Sequence, residues 1–370
     1  MSIYLTFLLN ITLSVAVSGE RLSVSGNHFL FKGEKVFLSG GNLPWINYGY
    51  DYGNNQWAEV KARVEKQMQM LHRAGGNSLR LWIHIQGEST PQFNEEGYVI
   101  ATDTQGTFIA DFKDMLDLAQ SYDIFVIPTL WNAAVDQDYH NRLNGLIIDP
   151  GKLTSYIRVV LTPLVEAVIG HPALAAWEIM NEPEGLLNLQ FNEDPCFDTF
   201  MLKVSGAGWA GWKYSYQQLL RFISWQTDAI KSVDPQALVT VGVWNPKSNT
   251  NSFGMVDHYS DTCLYKAGQK ALGKLDFHDF HSYSFEGEFD TVAAFVHNSS
   301  DYRTSKPVVV GEFWSQQGGH RTTKQLFEYL YRHGYSGAWS WDLVDNGADQ
   351  RAGISHIQNY TGNGKIHIDL

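Results

Sequence analysis

The sequence predicts an α/β protein, a single-domain (β/α)8 TIM barrel, and three observations support that prediction. Eight short runs rich in β-branched and aromatic residues alternate with amphipathic stretches along the chain. Each connection between runs is too long for a hairpin, so the strands are expected to pair in parallel. The 370 residues suffice for one such domain, and eight strands are the number that closes this barrel. An open, doubly wound sheet would show the same alternation and is the alternative.

The predicted elements begin with a short N-terminal β-hairpin over residues 21–34. The eight barrel strands are expected at residues 35–42, 77–85, 123–131, 173–181, 237–244, 275–283, 307–314 and 337–341. The helices are expected near residues 56–74, 107–121, 150–169, 215–233, 289–297 and 320–333. In the first helix, apolar residues recur at i, i+4, i+8 and i+11 from Val60, which is amphipathic spacing. Long segments follow the fourth and fifth strands, and we expect them on the carboxyl-end face of the barrel.

The charge of the chain excludes two classes of partner. Its 39 acidic residues outnumber the 27 lysines and arginines, which gives a formal net charge of −12. An acidic surface repels phosphate backbones and anionic lipid head groups, so we expect neither nucleic acid nor a membrane as partner. Aromatic residues make up 14% of the chain, including 12 Trp, and this surplus suits the stacking of flat ligand faces.

The first 18 residues lack charged side chains and carry an apolar run that ends in Ala16-Val17-Ser18, a pattern suited to signal peptidase. We therefore predict a signal peptide over residues 1–18, the barrel domain over 19–370, and secretion to the extracellular space. A membrane anchor is the alternative, but Asn10 interrupts the run, which is short for a bilayer span of about 20 residues. Asn298 and Asn359 begin N-x-S/T triplets that could carry glycans in a secreted protein.

Polar residues stand at or near the carboxyl ends of several predicted strands, although a parallel barrel strand should be almost purely apolar. Glu182 follows the fourth strand, and Glu312 lies near the end of the seventh. In a closed barrel these two strand ends face each other across the axis. Two carboxyl groups that flank a glycosidic bond, one protonated and one ionised, are the minimum apparatus of most glycoside hydrolases. Arg80, on the second strand, could hold the pKa of one carboxyl group down.

These motifs resemble those of the family 5 glycoside hydrolases. The segment Trp177-Glu178-Ile179-Met180-Asn181-Glu182-Pro183 is similar to the family's strand-four signature. The segment Gly311-Glu312-Phe313-Trp314 is similar to the family's strand-seven nucleophile motif. The resemblance implies a retaining mechanism in which Glu182 is the acid/base and Glu312 the nucleophile. It further implies that Asn181 holds the sugar 2-hydroxyl and that His281 sits beside the acid/base.

The resemblance also assigns the remaining site residues. Arg80 and Tyr283 would orient Glu312, and Trp341 would form the floor under the sugar. The substrate-binding side chains implied in this way are Arg80, Trp131, Asn181, His281, Tyr283 and Trp341.

The implied substrate is a β-1,4-mannan cut at internal bonds. The general pattern, including Gly40-Gly41-Asn42 before Trp45, resembles the endo-β-1,4-mannanases of molluscs and other invertebrates. Cellulases of the family often carry a His after the third strand, where this chain has Trp131-Asn132, and this departure favours mannan over glucan. An endo-β-1,4-glucanase and an inactive polysaccharide-binding barrel remain the alternatives. We expect a monomer.

We expect no cofactor and no metal ion. His278 and His281 are separated by an odd number of residues, so they should lie on opposite faces of their strand, and no Cys lies nearby. Glu178 shares the strand face of Glu182 one layer deeper. We therefore expect Glu178 to be a buried, paired carboxylate inside the barrel.

Two cysteines, Cys196 and Cys263, are the only ones in the chain. They lie in the segments that follow the fourth and fifth predicted strands, so both belong to the same face of the barrel. In an oxidising compartment they could form one disulfide bond. The alternative is that they are two small buried hydrophobic residues.

Overall fold

Eight parallel strands close into a barrel in the computed structural model, so the (β/α)8 prediction is confirmed and the open sheet is excluded. The structure describes residues 20–138, 140–360 and 362–370, and the predicted signal peptide at 1–18 lies outside them. The strands are β1 (Ser23–Ser25), β2 (His28–Phe31), β3 (Glu34–Val36), β4 (Leu38–Leu43), β5 (Ser78–Ile85), β6 (Gln92–Phe93), β7 (Val99–Ala101), β8 (Phe125–Asn132), β9 (Trp177–Asn181), β10 (Val239–Val243), β11 (His278–His281), β12 (Val308–Glu312) and β13 (Gly337–Ser340). The barrel contains β4, β5 and β8 to β13 in chain order, and β13 pairs with β4 to close it.

The helices lie outside the barrel and cover its strands. They are α1 (Trp57–Arg73), α2 (Phe108–Ser121), α3 (Arg142–Ile148), α4 (Pro150–Tyr156), α5 (Thr162–Val168), α6 (Tyr216–Val233), α7 (Asp261–Gly268), α8 (Thr323–Arg332) and α9 (Gly347–Ile357). Within the described part of the chain, none of them is long and apolar enough to cross a membrane. The apolar stripe predicted for α1 faces the core, since Val60, Val64 and Met68 are buried. The main core therefore lies between the strands and the helical layer.

One predicted helix is wrong. The stretch 289–297 contains only a short 3-10 turn, Ala294–Val296, so β11 and β12 are joined without an α-helix there. The carboxylate of Asp290 accepts a hydrogen bond from the backbone N–H of Val292 at 3.1 Å. Such local side-chain bonds compete with helix formation. The apolar run that follows is also too short to complete several helical turns.

The predicted N-terminal hairpin is part of a three-stranded antiparallel sheet, in which β3 pairs with β2. Two aromatic side chains of β2 point into the amino-terminal end of the barrel. The ring of Phe29 packs edge-on against Phe277 at 5.1 Å, and the ring of Phe31 packs against Phe125 at 5.2 Å. These rings belong to a second apolar cluster that also includes Trp339. The bottom of the barrel is thus filled, and the opposite end is left for a site.

A disulfide bond joins Cys196, in the loop after β9, to Cys263 in α7. Both cysteines are almost fully buried, at 6% and 4% exposure. The bond therefore ties together the two long segments that follow the fourth and fifth barrel strands. These segments belong to the carboxyl-end face.

We expect loss of this disulfide to lower the free energy of unfolding by about 2–4 kcal/mol, because a cross-link mainly restricts the unfolded chain. The two cysteines are 67 residues apart in sequence, a loop long enough for the upper part of that range. Urea unfolding of the oxidised protein and of the Cys196→Ser/Cys263→Ser variant measures the difference. Equal stabilities, with an intact disulfide in the parent by mass spectrometry, would contradict this expectation.

Candidate active site

Glu182 is held at the mouth of the barrel by an unusual backbone conformation. It follows β9 with φ at 46° and ψ at 59°, in the left-handed region, and Pro183 then begins a 3-10 turn. A non-glycine residue there costs about 1–2 kcal/mol, so its surroundings must enforce the conformation. The N–H of Glu182 donates to the carbonyl of Gly242 at 2.7 Å. The register between β9 and β10 also shifts just before this point, between Thr240 and Gly242.

Glu312 ends β12, and each of its carboxylate oxygens has a donor. Oε1 accepts a hydrogen bond from Nη1 of Arg80 at 2.8 Å, and Oε2 accepts one from the hydroxyl of Tyr283 at 2.8 Å. The residue is 5% exposed. These contacts fix the direction of the carboxylate and leave a small accessible part of it at the mouth.

The two glutamates face each other across a short gap. One carboxylate oxygen of Glu182, one of Glu312 and a ring nitrogen of His281 all lie within 4.8 Å of one another. Nδ1 of His281 is 2.7 Å from Oε1 of Glu182 and 3.5 Å from Oε2 of Glu312. Carboxyl groups about 5–5.5 Å apart are typical of retaining glycosidases, and inverting enzymes need about 6.5–9.5 Å. The spacing thus fits direct attack by one carboxylate and is too short for the arrangement of an inverting enzyme.

The same three side chains are the group of possible metal ligands in the described part of the chain. Their atoms are already engaged with each other and with neighbours. His281 forms a hydrogen bond to Glu182, and Glu312 is bound by the guanidinium of Arg80. A cation so close to Glu312 opposes a second positive charge there. The arrangement therefore suits proton transfer and nucleophilic attack better than ion binding.

A fully buried cation, Arg80 on β5, supports this pair from below. Its Nε and Nη2 bind both oxygens of Glu178 at 2.7 and 2.6 Å. Its remaining contacts are Nη1 to Asn42 Oδ1 at 2.9 Å and Nη2 to Asn181 Oδ1 at 2.7 Å, in addition to the contact with Glu312. Because Arg80 is 0% exposed, it lies beneath the substrate site. The resemblance counts Arg80 among the substrate-binding side chains, and the structure corrects this, because its contacts are those of a group that orients other side chains.

Burial shifts the pKa values of three titratable side chains at the mouth, Glu182, Glu312 and His281. It raises the pKa of Glu182 to about 7, and the negative charge of Glu178 adds to that effect while Arg80 opposes it. Burial also raises the pKa of Glu312, against the opposing charge of Arg80. Burial lowers the pKa of His281 to about 4, so this ring is neutral at neutral pH. Glu182 is therefore the group suited to carry a proton near neutral pH.

Asn181 and its neighbours form a fixed polar row at the mouth. The amide Nδ2 of Asn181 donates to Oδ1 of Asn132 at 2.9 Å, and its Oδ1 accepts from Arg80. With both ends of the amide engaged, Asn181 has one orientation. Asn132 and Asn181 also sit opposite each other in the register between β8 and β9.

Trp341 is half-buried and begins an aromatic wall along one side of the mouth. Its ring meets the edge of Trp82 at 5.7 Å, and Trp82 in turn meets Trp45 at 6.4 Å. The guanidinium of Arg80 lies 4.3 Å from the centre of the Trp82 ring. A partly exposed indole beside two carboxylates is the kind of surface on which sugar C–H faces stack.

The prediction that Trp131 binds substrate is wrong. Trp131 is 0% exposed, and its Nε1 donates to Gln226 of α6 at 3.0 Å. Its ring packs against Tyr156 and His84 at 4.9 Å each, in the layer between strands and helices. Neighbouring residues of a strand point to opposite faces, and here Asn132 takes the face toward the mouth.

His84 also lies on a different face of its strand from the one that strict alternation of side chains predicts. The spacing of two residues predicts that it shares a face with Trp82. The register between β5 and β8 shifts between Trp82 and Ile85, however, and His84 lies in the helical layer with Trp131. Ile85 has a φ of 57°, which is rare for a β-branched residue. An irregularity at the strand end thus reverses which side chains reach the mouth.

Sequence reasoning missed three buried polar residues that organise the site. The side-chain oxygen of Asn42 accepts a hydrogen bond from Arg80, and its amide nitrogen donates one to the carbonyl of Gly311 at 2.9 Å. Asp279 is fully buried on β11, where burial and the charge of Glu178 hold its pKa well above the usual range. Glu184 is fully buried just after the acid/base turn. A polar residue in a predicted barrel strand was the available signal for both Asn42, at the end of its predicted strand, and Asp279, in the middle of its predicted strand.

Comparison with known proteins identifies the family. The model of the family described as "Cellulase (glycosyl hydrolase family 5)" matches residues 32–347. The chain belongs to this family. It is therefore a glycoside hydrolase, and the resemblance seen in its motifs is confirmed.

The similar proteins of this family include several from invertebrates. A mannan endo-1,4-beta-mannosidase of Mytilus edulis is 45% identical over 95% of each chain. One from Cryptopygus antarcticus is 39% identical over 95% of this chain and 94% of its own. The solved beta-1,4-mannanase of the common sea hare Aplysia kurodai has a TM-score of 0.94 and 58% identity, and the match covers 95% of this chain and all of that one.

The pH dependence of activity should report the Glu182 proton. We expect kcat/KM to fall as pH rises through about 7, because Glu182 loses its proton near that pH. Glu178→Gln should move this alkaline limb to lower pH, since the negative charge that helps to raise the Glu182 pKa is removed. Glu193→Gln, which neutralises an exposed acid, is the control. An alkaline limb that stays in place in Glu178→Gln would contradict this assignment of the proton.

We expect substitution of Trp131 to change the stability of the protein and substitution of its neighbour Asn132 to change its activity. Trp131→Phe leaves the buried Gln226 carbonyl without its donor, so we expect a loss of about 1–3 kcal/mol in unfolding free energy and an unchanged KM. Asn132→Ala frees the Asn181 amide and should lower kcat/KM roughly fivefold. Thermal unfolding and kinetics on one substrate give both quantities. A raised KM in a fully folded Trp131→Phe variant would instead support the prediction that Trp131 binds substrate.

Proposed function

We propose that this chain is a secreted, endo-acting, retaining hydrolase of β-1,4-mannosidic bonds. The observation that carries the proposal is the carboxylate pair, Glu182 and Glu312, with oxygens within 4.8 Å of each other at the mouth of the barrel. That spacing supports double displacement. The Mytilus and Aplysia relatives, at 45% and 58% identity, are both named for activity on β-1,4-mannan and support the choice of substrate.

In the first step, Glu182 donates its proton to the glycosidic oxygen while a carboxylate oxygen of Glu312 attacks the anomeric carbon. The bond to the leaving sugar breaks, and a covalent glycosyl ester with Glu312 forms. In the second step, the ionised Glu182 takes a proton from water. The water oxygen attacks the anomeric carbon and releases Glu312. Two inversions at one carbon give retained configuration.

The surrounding residues support these roles. Arg80 and Tyr283 each donate to one oxygen of Glu312, which orients the nucleophile. Both bonds weaken as the ester forms and the negative charge is neutralised, so the nucleophile leaves again readily in the second step. We assign the sugar 2-hydroxyl to Asn181 and the floor of the site to Trp341. His281, neutral by its lowered pKa, acts on Glu182 as a hydrogen-bond partner.

The location and assembly of the protein are part of the same proposal. We infer that residues 1–18 are a signal peptide and that 19–370 form the mature catalytic domain. The Cys196–Cys263 disulfide supports an oxidising compartment. We also propose a monomer, because all site residues come from one barrel. N-terminal sequencing of the secreted protein and its sedimentation test these two points.

We expect Glu182→Gln and Glu312→Gln each to reduce turnover of galactomannan by roughly 1000-fold or more, since each removes one partner of the two-step reaction. Glu286→Gln, which changes an exposed acid on the loop after β11, should retain the parent rate. Release of reducing ends measures turnover. Substantial activity in either active-site variant would show that the roles are assigned wrongly.

Substrate choice and stereochemistry need their own measurements. Parallel assays on galactomannan and carboxymethylcellulose decide between mannanase and glucanase, and binding of mannan without release of reducing ends would favour the inactive barrel. We expect cleavage of galactomannan. The first-formed anomer, followed by NMR, should be β, and an α product would exclude double displacement.

A further inference from the structure

A carboxyl group that no protein donor reaches lies inside the barrel, beneath the candidate active site. Asp279, on β11, is 0% exposed. Neither of its side-chain oxygens accepts a hydrogen bond from any of the described residues. Buried polar groups in folded proteins are almost always hydrogen-bonded, and burial of an ionised carboxylate without donors is costly. An ionised Asp279 would therefore be unfavourable at this position.

The buried cation of this layer, Arg80, has no N–H group left for Asp279. A guanidinium carries five N–H donors. Those of Arg80 are all engaged, and their acceptors are Glu178, twice, and Glu312, Asn42 and Asn181. Arg80 thus already serves two acids with one positive charge. A third ionised carboxylate in the same layer would add a negative charge with neither a donor nor a cation of its own.

Glycines on the neighbouring strands make room for these groups in one layer. A Cβ placed on Gly311 of β12 would lie 2.1 Å from Oδ1 of Asp279. A Cβ placed on Gly242 of β10 would lie 2.5 Å from Nη2 of Arg80 and 2.6 Å from Oε1 of Glu178. Asp279 is also the partner of Gly242 in the register between β10 and β11. A side chain at either glycine would displace one of the charged groups, so Asp279 is packed beside the Arg80–Glu178 pair.

The surroundings of Asp279 favour its neutral form. Burial raises the pKa of Asp279 most, the negative charges of Glu178 and Glu312 add to the rise, and Arg80 opposes it, so that the pKa lies well above its usual range. A hydrogen bond between Asp279 and Glu178 contributes to the same rise. Two carboxyl groups can share a hydrogen bond only when one of them carries a proton. Each oxygen of Glu178 accepts one bond from Arg80 and has capacity for another.

Building on the proposed function, we propose that Asp279 is a neutral carboxylic acid that positions the nucleophile through Glu178 and Arg80. The O–H of Asp279 donates a hydrogen bond to Glu178 and stabilises part of the negative charge of that residue. Arg80 is then attracted less strongly to Glu178 and keeps its bond to Glu312. An ionised Asp279 would instead compete with Glu312 for the same cation. Asp279 is therefore a positioning residue, because it acts on the nucleophile only through its neighbours.

Infrared spectroscopy of the parent protein tests the protonation state directly. Aspartate labelled with ¹³C in its side-chain carboxyl group separates the aspartate bands from those of Glu182 and the other glutamates. The spectrum is recorded at a pH well above that at which Glu182 ionises, where exposed aspartates are ionised as well. We expect the C=O band of one protonated aspartic acid, and we expect Asp279→Asn to abolish it. A parent spectrum with ionised aspartates alone would overturn the proposal.

A comparison of Asp279→Ala with the conservative Asp279→Asn tests the positioning role. Alanine removes the donor, whereas asparagine keeps a neutral N–H donor. Asp279→Ala should lower kcat about tenfold with little change in KM, because Glu312 is held less firmly. It should also move both pH limbs of kcat/KM upward, since the uncompensated charge of Glu178 raises the pKa of Glu312 and of Glu182. Asp279→Asn should recover most of kcat, with both limbs at the parental pH.

Asp276→Asn is the matched control. Asp276 lies just before β11 and pairs with Lys231 at 2.9 Å, with its side chain 25% exposed. Its neutralisation removes an acid from the same segment without a contact to Arg80, so we expect both pH limbs to stay in place. A fall in the stability of Asp279→Ala with both limbs unmoved would show a packing role alone and would overturn the positioning role.

The outcomes separate this proposal from the proposed function. If both limbs move to lower pH in Asp279→Asn, the parent carries a negative charge at this position and the proposal is wrong. If the parent protein does not cleave mannan, the proposed function is wrong. The infrared band still decides the state of Asp279 in that case, because its detection requires no activity.

Discussion

The site depends on one buried cation, the guanidinium of Arg80 in the barrel interior. Two of its nitrogens donate hydrogen bonds to Glu178 and one donates to Glu312, with donor–acceptor distances of 2.6–2.8 Å. A charge with no exposure to water is tolerated only when it is paired and hydrogen-bonded. Arg80 therefore needs the surrounding acids to balance its buried charge, and the buried acids need Arg80 for the same reason. Of the three charged groups Arg80, Glu178 and Glu312, only the nucleophile Glu312 reaches the mouth.

The charge balance of that layer explains the protonation of the site. Arg80 lies among three acids: Glu178 and Asp279, which are fully buried, and Glu312, which is 5% exposed. Burial and the negative charge of Glu178 hold the pKa of Asp279 well above its usual range. Burial raises the pKa of Glu182 to about 7; the positive charge of Arg80 opposes this effect, and the negative charge of Glu178 adds to it.

Backbone irregularities at the carboxyl ends of the strands determine which side chains reach the mouth of the barrel. Register shifts interrupt the pairing of β5 with β8, of β9 with β10 and of β11 with β12, in each case near the carboxyl end. Glu182 and Ile85 both take left-handed backbone conformations there. Strain of this kind persists only where the surroundings enforce it, and it concentrates at functional positions. The pairing of β4 with β5 and with β13 shows no such shift.

The sequence by itself determined the eight strands, their parallel pairing and the pair Glu182 and Glu312, because period-two and helical patterns are local and strand-end polar residues are visible in them. It could not assign His84 to the correct face, since a bulge in β5 reverses the side chains beyond it, and it did not reveal that Trp131 points away from the mouth. It also predicted a helix over residues 289–297, after β11, that does not form. Only the tertiary structure decided that Arg80 lies beneath the cleft and that Asp279 lies in the same buried layer. Those facts depend on contacts between residues far apart in the chain, which no local pattern records.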